Sequence, residues 1–212
     1  FKKNFRVSKR LFVDILKEIE PKFAPVRCKG LKPKEKFAAT LRFLAEGSYQ
    51  TGVGNDFNIA IAQPTFSVIF TQCLNIIEQT FSAKWINLEM EPGQQQEARR
   101  YFFGKSGIPG VVMCADGTHI KIIAPQNDRD QHYNRKGFYS LNALIVTYPS
   151  KPWLITPKRN PAPGSPDADY NTKHSQGREI VERTIGMIKN RFRCILGARQ
   201  LHYTPEKATQ IT

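Results

Sequence analysis

Apolar residues recur at helical spacing in three stretches of the first 85 positions. Phe5, Leu11, Phe12, Ile15, Leu16 and Ile19 share one face and predict a helix over 5–20, with Ser8 as N-cap and Pro21 as its stop. Phe37, Leu41, Leu44 and Ala45 mark a second helix from Pro33 to Glu46. Proline suits a first turn there, and Gly47 suits the C-terminal stop. Phe66, Ile69, Phe70, Leu74, Ile77 and Phe81 mark a third, from Gln63 to about Phe81, separated from the second by a glycine-rich stretch, Gly52 to Gly54. Its other face, with Gln63, Thr65, Ser67, Thr71, Gln72 and Asn75, is polar and uncharged at the helix start, as a helix that reads a DNA major groove tends to be. A helix-turn-helix and a plain helical bundle fit this pattern equally.

Further along, the period changes. Gln94 to Phe103 reads as a helix and Gly104 to Gly110 as a loop, which places a domain boundary at 86–109. From Gly110 to Ile123 the chain starts with a continuous apolar run, which predicts a buried central strand. Tyr139 to Val146 predicts a second strand pairing back antiparallel. Residues 147–177 are rich in Pro, Gly and Asp, with Trp153, Leu154 and Ile155 as an apolar anchor. The last helix is predicted over 178–193, its core face being Val181, Ile185, Ile188 and Phe192. No internal repeat is evident.

Composition adds bounds. The 212 residues suffice for a small helical domain plus most of a larger one, and 40% hydrophobic content with 14 Phe excludes a disordered chain. No apolar run reaches the length of a membrane span and no signal peptide is visible. The chain starts at Phe1 and stops at Thr212, so both ends read as cut. The net charge is +14, and it is clustered. Residues 1–50 hold 13 Lys and Arg against 5 Asp and Glu, 51–150 hold 8 against 8, and 151–212 hold 11 against 5. Two basic ends around a neutral middle point to a polyanion, ahead of a merely solvated basic surface. Cys28, Cys73, Cys114 and Cys194 have neither C-x-x-C spacing nor a histidine in a zinc pattern, so neither disulfide nor structural zinc is expected.

Three features carry candidate chemistry. Asp116 stands inside an apolar strand, where a carboxylate needs a cation, a metal or a turn to hold it. Gly117 follows, but the strand pattern resumes through His119, Ile120 and Ile122, which weakens a simple Asp-Gly turn. On the last helix Arg178, Glu182, Gly186, Lys189 and Arg193 share a face. Taken alone, that face reads as salt-bridged surface, with Glu182 paired to Arg178 and Lys189. Between the strands, aromatic and basic residues interleave from His132 to Asn142, which fits a phosphate-contacting loop or a solvated loop with aromatic anchors.

The order of these motifs is more specific than any one of them. Asp116-Gly117-Thr118-His119-Ile120 is followed by Tyr133-Asn134-Arg135-Lys136-Gly137 with Ser140-Leu141-Asn142. Then come Pro152-Trp153-Leu154-Ile155-Thr156-Pro157, Tyr170-Asn171 with His174, Val181-Glu182-Arg183 and Arg191-Phe192-Arg193-Cys194. With Gly47-Ser48-Tyr49-Gln50-Thr51 before them and Tyr203-Thr204-Pro205-Glu206-Lys207 after, this series resembles the Harbinger transposase-derived nuclease family over nearly the whole chain. The resemblance implies an RNase H-like DDE nuclease domain over 110–212, behind a helical, helix-turn-helix-like region over 1–85, an α+β chain overall. It implies that three carboxylates, Asp, Asp and Glu, hold two divalent cations, Mg2+ or Mn2+, for phosphodiester cleavage. Asp116 corresponds to the first ligand and Glu182 to the last. It further implies DNA as partner, a nuclear protein, and a separate Myb-like DNA-binding protein beside it. Gln63, Thr65, Arg135, Lys136, Arg178, Lys189 and Arg193 are the expected DNA contacts.

One departure stands out. In the family a further strand, a helix and a strand bearing the second Asp, within a Gly-Asp-Ser-like motif, precede the segment that matches Tyr148-Pro149. Here Val146 runs straight into Thr147, so a few dozen residues and the second Asp are expected to be missing between them. A skipped exon, a misjoined gene reading or a decayed transposon copy produces such a junction. Asp167 and Asp169 fall where the family has a variable loop and are not read as replacements. A two-carboxylate site holds metal weakly. The expected activities are therefore a weak or inactive endonuclease or, alternatively, a non-catalytic DNA-binding or partner-binding protein of transposon origin.

Overall fold

A computed structural model describes residues 1–25, 30–47, 61–86, 89, 91–147, 162–196 and 200–212. The chain is α+β and divides into two compact units that interleave along the sequence. The first comprises Phe1–Asn87, His119–Leu141 and Lys189–Thr212; the second comprises Leu88–Thr118 and Asn142–Ile188. No helix among the described residues is long and apolar enough to cross a membrane.

The first unit is built on helices. A short turn of helix, α1 (Lys2–Phe5), precedes α2 (Lys9–Ile19). The expected single helix over 5–20 is thus broken, because Arg6 adopts φ 59°, a left-handed conformation that ends α1. Ser8 caps α2 as expected, its Oγ accepting from Leu11 N at 3.1 Å. Phe12 and Ile19 are buried, but Leu11 faces solvent. Helix α3 (Pro33–Glu46) has the bounds that proline and glycine predict. Lys32 N donates to Glu35 Oε2 at 2.8 Å at its start, and Gly47, at φ 63°, donates its N–H to Phe43 O at its end. Helix α4 (Gln63–Trp85) runs four residues beyond Phe81. The Gly52–Gly54 turn and the segment ending at Ile59 lie outside the described residues, as do Cys28 and Trp153-Leu154-Ile155.

Packing between these helices makes one core. Phe12 stacks on Phe37 with ring centroids 4.9 Å apart, Phe66 on Phe70 at 5.6 Å, and Phe43 meets Phe70 edge-on at 4.8 Å. The chain's tail closes this core. Tyr203 lies against Phe43 and Phe70, and Lys207 of α8 (Pro205–Ile211) sits over the Phe70 ring. Gln210 Nε2 donates to both Asn75 Oδ1 and Glu78 Oε2 at 2.7 Å.

The second unit opens on α5 (Pro92–Ser106), which starts earlier and ends later than its sequence pattern. Gly104 lies inside it, and Gly107, at φ 68°, stops it. The strand β1 (Cys114–Lys121) leaves out Gly110–Met113, the most apolar stretch of that region. Among the described residues it pairs with β2 (Ser140–Thr147) in a two-stranded sheet, so the expected buried central strand is not formed there; most of β1 is half-buried or exposed. The register is antiparallel. Ile122 N donates to Tyr139 O, His119 meets Ser140, and Gly117 abuts Asn142, so one residue number rises as the other falls. Between the strands a single turn of helix, α6 (Arg129–His132), belongs to the first unit. Helix α7 (Pro166–Arg191) starts three turns earlier than 178, and part of what reads as Pro- and Asp-rich loop is its first turn. Asp167 and Asp169 occupy that turn, where carboxylates favour the positive end of the helix dipole.

Candidate carboxylate site

Asp116 comes from the middle of β1 and Glu182 from the middle of α7, both in the second unit. The structure joins them through Arg178. Its Nη2 lies 3.5 Å from Asp116 Oδ2 and 2.9 Å from Glu182 Oε1. The Arg178–Glu182 half is the i,i+4 pair that helical spacing predicts. The Asp116 half spans 62 residues of sequence and belongs to the tertiary structure. Asp116 is 24% exposed, whereas the Arg178 and Glu182 side chains are each 51% exposed. The strand carboxylate thus sits sheltered while the helix partners reach it from the solvent side.

Two close approaches pack α7, one against β1 and one against α5. Cys114 Sγ lies 3.2 Å from Gly177 O, and a Cβ added at Gly177 would stand 3.4 Å from the Ser106 Cβ. Gly177 is therefore the glycine that admits a neighbour to α7. Gly186, on the same face as Arg178 and Glu182, has nothing within 4 Å of an added Cβ. On the sheet, a Cβ at Gly117 would come within 3.3 Å of Asn142 Oδ1, so the glycine after Asp116 admits the partner strand.

A divalent cation fits the carboxylate pair in part. Asp116 Oδ2 and Glu182 Oε1 share one nitrogen neighbour, so they stand at most about 6.4 Å apart, the sum of the two distances. Oxygens holding one Mg2+ at about 2.1 Å stand at most about 4 Å apart. The bound on their separation includes that range, and the half-exposed Glu182 side chain has room to turn. A third ligand is another matter. Among the described residues no three His, Cys, Asp or Glu side chains gather in one metal-binding group. Asp169 pairs with Lys173 at 2.7 Å. It lies 13 residues before Glu182 on the same helix, about 20 Å along its axis at 1.5 Å per residue. The donor set suits one cation and not a pair.

The other expected DNA contacts have different settings. Arg135 and Lys136 form the exposed tip of a tight turn, in which Gly137 N donates to Asn134 O and Gly137 takes φ 80°. Asn134 holds the turn, accepting from Lys136 N at 2.8 Å and donating to Ser140 Oγ at 2.7 Å. Ser140, itself buried, also meets His119 Nδ1 at 3.0 Å, a part-buried network that the local pattern did not reveal. Lys189 Nζ donates to His119 O, and its pKa is lowered by burial first and by the Lys136 charge second. Arg193 lies beyond the end of α7, in a short 3-10 turn (Arg193–Ile195), so it leaves the face that Arg178 and Glu182 share. Gln63 and Thr65 are exposed at the start of α4. Cys73, Cys114 and Cys194 are free thiols, and burial pushes the Cys194 pKa up to about 12.

Comparison with known proteins finds similarity of two kinds. Residues 146–212 match the DDE superfamily endonuclease family. A protein named "Putative nuclease HARBI1" from Xenopus laevis is 27% identical over 233 residues, covering 87% of this chain and 66% of its own length. The mouse protein of that name is 27% identical and the human one 26%, with the same coverage. The chain thus spans just under two thirds of the length of these relatives. No solved structure matches.

Proposed function

We propose that this chain, which is similar over most of its length to proteins named as nucleases and matches the DDE superfamily endonuclease family over 146–212, is a DNA-binding nuclease derivative. In this reading it holds one divalent cation at Asp116 and Glu182 and cleaves phosphodiester bonds slowly or not at all. The observation that carries it is the convergence of a strand-borne and a helix-borne carboxylate on one cationic nitrogen. A Mg2+ or Mn2+ ion bound there supplies activation of water and neutralisation of the leaving oxygen. Asp116, being sheltered, fixes the position; Glu182, being exposed, closes onto it. Arg135 and Lys136 offer point charges to the DNA backbone from a rigid turn, with Arg178, Lys189 and Arg193 adding to the positive field and Gln63 and Thr65 reading base edges.

Slow cleavage rests on ligand count and on the aligned lengths. Of the 212 residues, 87% is about 184, against an aligned span of 233, which leaves about 49 positions of the relative without a counterpart. A loss of that size accommodates a strand, a helix and a strand at the Val146–Thr147 junction, and with them the second Asp. The net charge of +14 supports binding that survives loss of catalysis.

Plasmid nicking tests this. With Mn2+ the chain is expected to bind supercoiled DNA with steep salt dependence and to nick it barely above background. Fast nicking that Asp116→Ala abolishes would overturn slow cleavage and leave the site standing. Nicking that survives both Asp116→Ala and Glu182→Ala would remove the site. Equal retention of DNA at low and high salt would remove the backbone-binding role.

A further inference from the structure

Arg178 is the unexpected member of the carboxylate site. A DNA contact needs its guanidinium directed outward, whereas here one nitrogen serves two carboxylates from different elements. Two carboxylates at most about 6.4 Å apart repel each other unless a cation stands between them. The guanidinium is that cation. Its Nη2 stands where a bound cation would sit, 3.5 Å from one carboxylate oxygen and 2.9 Å from the other.

We propose that Arg178 is an internal competitor for the divalent cation: it occupies the Asp116–Glu182 pair in the cation-free protein and must swing out before a metal enters. This rests on the carboxylate pair being the metal site. Release is geometrically open, because Arg178 is half exposed and a long flexible side chain reaches solvent by rotamer change alone. The swing also couples the two ligands of the protein. Metal entry frees a guanidinium beside the carboxylates, which then becomes available to a phosphate; without metal, the same group is neutralised by its own protein.

Direct Mn2+ binding, followed by electron paramagnetic resonance of free Mn2+ and by isothermal titration, tests the competition without any activity readout. Exposed ion pairs are individually weak, so Arg178→Gln is expected to tighten Mn2+ about threefold to tenfold. Arg178→Lys, which keeps the charge but not the fork, is expected to fall between. Arg183→Gln is the control. It removes the same charge one residue from Glu182, where Arg183 pairs with Glu179 instead, and is expected to leave Mn2+ affinity unchanged. The melting temperature of Arg178→Gln is expected to drop in chelator and to be restored by Mn2+, because only the metal then separates the carboxylates.

Equal Mn2+ affinity in wild type and Arg178→Gln would overturn the competition and leave the metal site in place. Weaker binding in Arg178→Gln would overturn it too, making Arg178 a support for the ligands. An equal gain in Arg183→Gln would reduce the effect to general charge and overturn it. No Mn2+ binding at millimolar concentration by either protein would overturn both the competition and the metal-site reading.

Discussion

The two units bury their apolar residues on different terms. In the first, phenylalanines from α2, α3 and α4 stack into one core, and Tyr203 and α8 close it from the far end of the chain. In the second, Ala98, Phe102, Val112 and Val181 are the buried hydrophobics among the described residues, while Tyr101, Phe103, Leu144 and Met187 face solvent. Leu144 is 68% exposed on a strand and Met187 65% exposed on α7. A helix satisfies its own backbone and needs partners for one apolar stripe. A strand needs neighbours for both its hydrogen bonds and its faces, and a two-stranded sheet offers few. The first unit thus gathers one phenylalanine core while the second buries few apolar side chains, and each leaves others in solvent, Trp85 and Ile86 of the first among them.

Thiol chemistry gives the widest separation between the units. In a Cys28→Ser background, buried Cys73 and Cys194 of the first unit are expected to alkylate at least about a hundredfold more slowly than half-buried Cys114 of the second, since labelling them needs local opening. Burial raises all three pKa values, so each rate is expected to climb with pH, and Cys194, with its pKa near 12, is expected to stay protected at pH 8 in the folded protein. Comparable labelling of all three would erase the contrast. Next in size, Phe66→Ala is expected to cost about 3–5 kcal/mol in urea unfolding, and Phe102→Ala less, because looser surroundings collapse more readily onto the lost volume. A larger loss from Phe102→Ala would reverse the comparison.

Smaller effects sharpen it. Gly47→Ala is expected to cost about 1–3 kcal/mol, because the residue sits at φ 63° and its new Cβ would stand 2.7 Å from Arg193 O. In the second unit Gly186→Ala should do the opposite and gain about 0.5–1 kcal/mol, since the position is helical and nothing lies within 4 Å. Thermal melts of the two variants shifting in the same direction would contradict this. Ser8→Ala, at the N-cap of α2, is expected to cost about 1 kcal/mol, a loss that Ser8→Asn restores.

Helix legibility followed the physics of each end. Proline at the start and glycine at the stop made α3 readable to the residue, because both signals act within one turn. Helix α7 was read three turns short, since Pro166, Asp167 and Asp169 look like loop until their place in a first turn makes the same residues favourable. The apolar run at Gly110–Met113 was read as a strand, yet strand formation needs a partner, and none pairs with it among the described residues.

Sequence by itself determined the basic character and the bounds of α3, and it singled out Asp116 and Glu182 as candidate residues. Those follow from short-range periodicity, from charge and from the order of motifs. Only the tertiary structure decided that Arg178 stands between the two carboxylates, that Ser140 ties His119 to Asn134, and that the chain's tail returns to the first core. The Arg178–Asp116 and Tyr203–Phe70 contacts join different elements, dozens to more than a hundred positions apart in the chain. Local pattern carries no information about such encounters, because it is the packing of whole elements that brings them about.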